Sequence, residues 1–187
     1  MLCLPERVKI LVQEIMKIYN VPAPVLDLNG SVSHNMEPLV GIVENNRHFI
    51  AGNFLRRLRQ SVWEYYRNRY LLDRVQSSID FIGLNYYTID RLFGSYSVLP
   101  KQPTMEEMGW EIYPKGIYHE LMALKSYKKP IFITENGIAD SKDEKREKFI
   151  KDHLRWVWQA IHDGVDVRGY MYWSLLDNFE WARGFEP

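Results

Sequence analysis

Cysteine is nearly missing from this chain: Cys3 is the only one, so no intrachain disulfide can brace the fold. That usage fits a reducing compartment, and a cytoplasmic setting is expected. A surplus of one charge is missing as well. Lys+Arg and Asp+Glu both number 24, so no net charge draws the chain to nucleic acid or an anionic membrane, and neither is expected as a partner. No apolar run nears the roughly 20 residues that a membrane-spanning helix needs. Met1-Leu2-Cys3-Leu4 gives way at once to Pro5-Glu6-Arg7, without the shape of a signal peptide. No Gly-x-Gly-x-x-Gly follows an apolar run, which argues against a dinucleotide site. His34, His48, His119, His153 and His162 show no paired ligand spacing, so no metal is expected, and nothing calls for a cofactor.

What remains is an ordinary globular composition, 46% hydrophobic and 26% charged, rich in aromatics at 14%. Aromatic faces suit the C–H faces of sugar rings, but they also build cores, so composition alone does not choose. Val8, Leu11, Val12, Ile15, Ile18 and Tyr19 recur at helical spacing and predict a helix from Pro5 to Tyr19. Residues 21–38, with Pro22, Pro24, Gly30 and Pro38, read as a long loop. These residues, 1–38, form one expected unit; residues 39–187 form the other.

Within 39–187 the pattern alternates. Strands are predicted at Leu39 to Val43, Asp80 to Tyr87, Pro130 to Thr134 and Asp166 to Trp173, each a near-continuous apolar run. Helices are predicted between them. The first runs from about Asn53 to Val75, with Phe54, Leu55, Leu58, Val62, Tyr65 and Tyr66 on one side. Its Arg56, Arg57, Arg59, Arg67, Arg69 and Arg74 read as a solvated face. The second lies near Gly116 to Tyr127. In the third, Ser141 and Glu144 form a capping-box pair, and Phe149, Ile150, His153, Leu154, Val157, Trp158 and Ile161 form the buried stripe. Gly164 is placed to end it in a left-handed conformation. The order demands an α/β fold with a parallel sheet under helices. An open doubly wound sheet and part of a (β/α)8 barrel both satisfy it.

The chemically capable residues sit just after the strands, where barrels build active sites. Alone, a carboxylate such as Glu135 at a strand end would be read as capping the next loop. Here it stands in Ile133-Thr134-Glu135-Asn136-Gly137, preceded by Phe81-Ile82-Gly83-Leu84-Asn85-Tyr86-Tyr87 and followed by Tyr172-Trp173-Ser174-Leu175-Leu176-Asp177-Asn178-Phe179-Glu180-Trp181. In that order and spacing, these segments resemble the C-terminal half of glycoside hydrolase family 1, the β-glucosidase-like retaining glycosidases. The resemblance extends from about Leu39 to Phe185. It implies half of a (β/α)8 TIM barrel, equivalent to strands 5–8. It also implies that Glu135 is the nucleophile that forms a glycosyl-enzyme, that Tyr87 orients it and that Asn85 supports it from behind. Trp173 would be the platform under the sugar ring, Glu180 and Trp181 would bond its hydroxyls, and Trp110 would line the leaving-group side. The implied ligand is a β-glycoside or oligosaccharide.

Retaining chemistry requires two carboxyl groups roughly 5–5.5 Å apart, one attacking and one protonating the leaving oxygen. The family's acid/base motif, Thr-Phe/Leu-Asn-Glu-Pro, has no full counterpart here. Asn35-Met36-Glu37-Pro38 comes nearest, but it carries an extra Met and runs straight into the first predicted strand. The resemblance further implies a last loop and a final helix beyond Pro187. A half-barrel exposes two sheet edges and an inner face. The expectation is therefore a homo-oligomer or a pairing with a complementary N-terminal half-barrel. The alternative is a non-catalytic sugar-binding or structural fragment.

Overall fold

The computed structural model describes residues 25–26, 32–33, 39–51, 54–92, 104–174 and 176–185. The predicted helix Pro5 to Tyr19 and the Asn35–Pro38 segment lie outside the described residues. Within the expected 21–38 loop, strands β1 (Val25–Leu26) and β2 (Val32–Ser33) pair antiparallel.

The body is a four-stranded sheet of β3 (Gly41–Ala51), β4 (Phe81–Leu92), β5 (Ile131–Asn136) and β6 (Val167–Tyr172). All neighbours are parallel and the order follows the sequence. The helices are α1 (Phe54–Glu64), continued by a π turn (Tyr65–Arg69) into α2 (Tyr70–Val75), then α3 (Lys115–Leu124) and α4 (Arg146–His162). The side chains alternate across the sheet as the pleat requires. Ile82, Leu84 and Tyr86 join Ile131 and Ile133 under Leu72, Ile117, Leu121, Leu124, Val157 and Ala160. The opposite face carries Phe81 against Phe132, ring centroids 5.3 Å apart. Its glycines make room: a Cβ on Gly41 would lie 2.4 Å from the Phe81 ring.

β3 and β4 run on to Ala51 and Leu92, well past the predicted ends at Val43 and Tyr87. Glu44 to His48 are mostly polar and lie outside the predicted apolar run. Tertiary pairing decides otherwise, because Arg47 meets Asp90 at 3.1 Å and both Asn46 and His48 meet Glu120 at 3.2 Å.

The first helix corrects its expected face. Leu58 is 72% exposed and Tyr66 64% exposed, while Asn68 and Leu72 turn inward. The π turn adds a residue to the turn and shifts the helical phase behind it. Asn68 fixes that phase by bonding the Arg47 backbone, donating to its carbonyl at 2.8 Å.

The last helix starts later than the capping-box reading placed it. Asp140 caps it, its Oδ2 accepting from the backbone N–H of Lys145 at 2.7 Å and Arg146 at 3.0 Å. Ser141 instead donates from Oγ to Glu107 Oε1 at 2.8 Å. Of the predicted stripe, Phe149, His153 and Val157 are buried with Ala160, whereas Trp158 is 62% exposed and Leu154 and Ile161 are exposed with it. Those three lie one residue along the helix, about 100° round its axis. Gly164 takes the left-handed conformation, φ 85°, as predicted.

Candidate active site

The site is built where β4 and β5 end. A register shift between Leu84 and Asn85 sets Asn85 opposite Glu135. Two residues on, Tyr87 returns to the same face and donates its hydroxyl to Glu135 Oε2 at 2.7 Å. Thr134 Oγ1 donates to Asn85 Oδ1 at 2.6 Å, joining the two strands just beneath. Burial raises the Tyr87 pKa far above the ordinary tyrosine range, with the bond to Glu135 and the charges of Glu135 and Glu180 adding to it. The phenol therefore keeps its proton and acts as a donor to a carboxylate.

Asn136 locks this strand end. Its Nδ2 donates to the Tyr86 carbonyl at 2.6 Å and its Oδ1 accepts from Tyr170 Oη at 2.8 Å, so one amide ties β4, β5 and β6 together. The Trp173 N–H donates to the Asn136 carbonyl at 3.1 Å, which brings the next loop to Glu135. Gly137 permits that approach, since a Cβ there would lie 1.8 Å from the Trp173 carbonyl oxygen.

Trp110 stands beside Tyr87, ring centroids 5.5 Å apart. A network that the sequence did not reveal holds it. Arg91 pairs with Glu111 through two bonds of 2.6 Å, and the Trp110 N–H donates to Glu106 Oε1 at 2.7 Å. Arg91 was missed because it belongs to the unpredicted extension of β4. A Glu next to Trp110 was the only available signal.

The predicted residues are not equally gathered. Glu135, Tyr87, Asn85 and Trp110 form one contiguous group. Glu180 lies near enough for its charge to act on Tyr87, and its Oε2 accepts from Asn178 Nδ2 at 3.2 Å. Trp173 is half exposed. Trp181 stands in solvent, 81% exposed. Among the described residues, no group of three His, Cys, Asp or Glu is placed to hold a metal ion, and no helix is long and apolar enough to cross a membrane.

A parallel sheet under helices, with an oriented carboxylate and aromatic residues at its strand ends, defines a piece of an α/β barrel whose polar groups gather at the strand ends. Comparisons place it more closely. The sequence profile of Glycosyl hydrolase family 1 matches residues 52–187. A β-galactosidase of Sulfolobus acidocaldarius is 38% identical over 144 residues, covering 67% of this chain and 27% of that protein. β-Glucosidase A of Thermotoga maritima is 39% identical over 131 residues, covering 61% and 29%. The solved β-glycosidase from Pyrococcus horikoshii superposes with a TM-score of 0.70 at 38% identity, covering 79% of this chain and 41% of that one. The chain belongs to glycosyl hydrolase family 1. Its four parallel strands and their helices correspond to part of the TIM barrel of these β-glycosidases. It spans only 26% to 31% of the length of the first five curated relatives.

Proposed function

We propose that this chain is the nucleophile-bearing half of a retaining β-glycosidase and works with a complementary N-terminal half-barrel. The observation that carries the reading is the 2.7 Å bond from Tyr87 to Glu135 at the end of β5. That bond orients the carboxylate and leaves Oε1 to attack. In the reaction, Glu135 attacks the anomeric carbon while the bond to the leaving oxygen breaks toward that oxygen. A glycosyl ester forms, which water then cleaves, freeing the carboxylate. Trp173 stacks under the sugar, Glu180 and Trp181 bond its hydroxyls, and Trp110 lines the leaving-group side. Asn85 supports the nucleophile through Thr134.

The leaving oxygen needs a proton, and the chain's own acid/base is the missing part. Glu37 comes before β3 in the sequence and follows no strand of the parallel sheet, whereas Glu135 lies near the end of β5. The partner half therefore brings the acid. The names of the relatives point to β-glucosides and β-galactosides as substrates. The exposure of Trp181 favours a sugar pocket that closes only on association. In this reading residues 39–187 form the half-barrel and residues 1–38 a separate segment.

The test is complementation. The chain is co-expressed with the N-terminal half of the Pyrococcus horikoshii β-glycosidase, and hydrolysis of 4-nitrophenyl β-glucoside is followed. Turnover by the pair alone, abolished by Glu135→Gln, is the expected result. A folded pair that never turns over would leave the non-catalytic sugar-binding or structural reading in its place.

A further inference from the structure

Three separate features of the fold converge on Arg47, in the middle of β3. The first is a bulge. β3 and β4 pair Asn46 with Tyr86 and then His48 with Ile89, so Arg47 stands opposite both Tyr87 and Thr88. Bulges re-aim side chains and are common beside active sites. Asn46 and His48 both reach Glu120 on the helical side. Strand alternation therefore turns Arg47 to the other face, where Tyr87 holds Glu135. The second feature is the π turn, an element frequent at functional sites. Its Asn68 grips the Arg47 backbone twice, donating to the carbonyl at 2.8 Å and accepting from the N–H at 3.4 Å. The third is the setting of the side chain. Arg47 Nη1 donates to Asp90 Oδ1 at 3.1 Å, and the guanidinium carbon lies 6.0 Å from the centre of the Trp110 ring. Trp110 in turn stands beside Tyr87.

These contacts order the guanidinium without using it up. Asp90 engages one nitrogen of the fork, and the two side chains remain 31% and 38% exposed. The pair is neutral as a whole, so it offers fixed N–H donors beside carboxylate acceptors without selecting an ionic ligand. A sugar is a ligand of that chemistry: its neighbouring hydroxyls each donate and accept, and its C–H groups suit an aromatic ring. The height is also right. Asn45 pairs with Asn85, and Asn85 with Glu135. Arg47 lies two residues further along β3, roughly 7 Å past the level of the nucleophile.

Resting on the glycosidase reading, in which Trp110 lines the leaving-group side, we infer that Arg47, braced by Asp90, hydrogen-bonds the hydroxyls of a second sugar that serves as the leaving group. Arg47 is then a specificity-determining residue, and the favoured substrates are β-linked disaccharides and oligosaccharides rather than glycosides of apolar alcohols.

The test compares two substrates in the assembled pair of half-barrels. One is cellobiose, whose leaving group is a second glucose. The other is 4-nitrophenyl β-glucoside, whose leaving group brings no ring hydroxyls. The readout is the ratio of their kcat/KM values, cellobiose over the aryl glucoside. Arg47→Met keeps the aliphatic stem beside Trp110 and removes every donor, and should lower that ratio about tenfold or more. Arg47→Lys keeps the charge but not the flat fork, and should still lower it about fivefold. Asp90→Asn loosens the brace and should lower it by a smaller factor. A structural role alone would slow both substrates alike and leave the ratio where it was. A ratio within about twofold of the parent in either Arg47 variant would overturn the assignment and leave the glycosidase reading standing. Failure of the parent pair to turn over the aryl glucoside would bring down that reading, and the assignment with it.

Discussion

Replacing Asn136 by Leu removes two hydrogen bonds at once while keeping the branched outline of the side chain. The Tyr86 carbonyl loses a donor at 2.6 Å and the Tyr170 hydroxyl loses an acceptor at 2.8 Å. Asn136 and Tyr86 are fully buried, so water cannot replace the first bond. A buried polar group left unpaired costs about 1–3 kcal/mol. Tyr170 is only partly buried, and its hydroxyl can turn toward solvent, so its share lies at the low end. The expected loss is about 2–4 kcal/mol, a large part of the roughly 5–15 kcal/mol that holds a domain folded. Urea unfolding followed by tryptophan fluorescence should show a lower midpoint with an unchanged slope. Adding Tyr170→Phe to the variant should then cost far less than it does in the parent, a coupling of about 0.5–3 kcal/mol. A loss under about 0.5 kcal/mol, or strict additivity of the two changes, would refute the lock assigned to Asn136.

Tyr87→Phe deletes the donor to Glu135 and should slow glycosylation of that carboxylate by roughly tenfold or more, without lowering the melting temperature. A change under about twofold in labelling rate would mean the bond does not serve the chemistry. Gly137→Ala puts a methyl group against the Trp173 carbonyl, which cannot swing aside like a flexible side chain. It should cost about 2–4 kcal/mol, and thermal unfolding within about 0.5 kcal/mol of the parent would contradict the geometry. Burial raises the Glu120 carboxyl pKa above its ordinary value of 4.5, so the folded chain holds that proton more tightly than the unfolded chain does. The stabilisation is complete below the ordinary value and is lost as pH rises through the raised one. Glu120→Gln should flatten that decline and be at least as stable at pH 7. A parallel pH profile in the two proteins would show that Glu120 does not titrate as described.

Elements whose signals are local were readable from the sequence. The apolar runs of β4 and β5 dictate buried parallel strands, and Gly164 stops a helix where a left-handed residue is needed. Glu135 and Tyr87 were legible as a pair because their segments are each contiguous. Features that depend on distant partners were not. The polar stretch Glu44 to His48 becomes strand only because Asp90 and Glu120, far along the chain, satisfy its side chains. The π turn follows from Asn68 reaching the Arg47 backbone. Asp140 displaced Ser141 as the helix cap because Glu107, from the preceding loop, claims the serine. The cluster around Glu120 draws on Asn46, His48 and Asn68, and no single segment announces it.

Intact mass reads the nucleophile itself. The folded chain is incubated with a 2-deoxy-2-fluoro-β-glucoside carrying a dinitrophenyl leaving group, which departs without protonation. Only Glu135 and its pocket are then required, and the fluorine slows loss of the sugar from the enzyme. A single glycosyl adduct is expected, forming faster in the presence of a complementary N-terminal half and absent in Glu135→Gln. An adduct that persists in Glu135→Gln, or none even in the assembled pair, would contradict it.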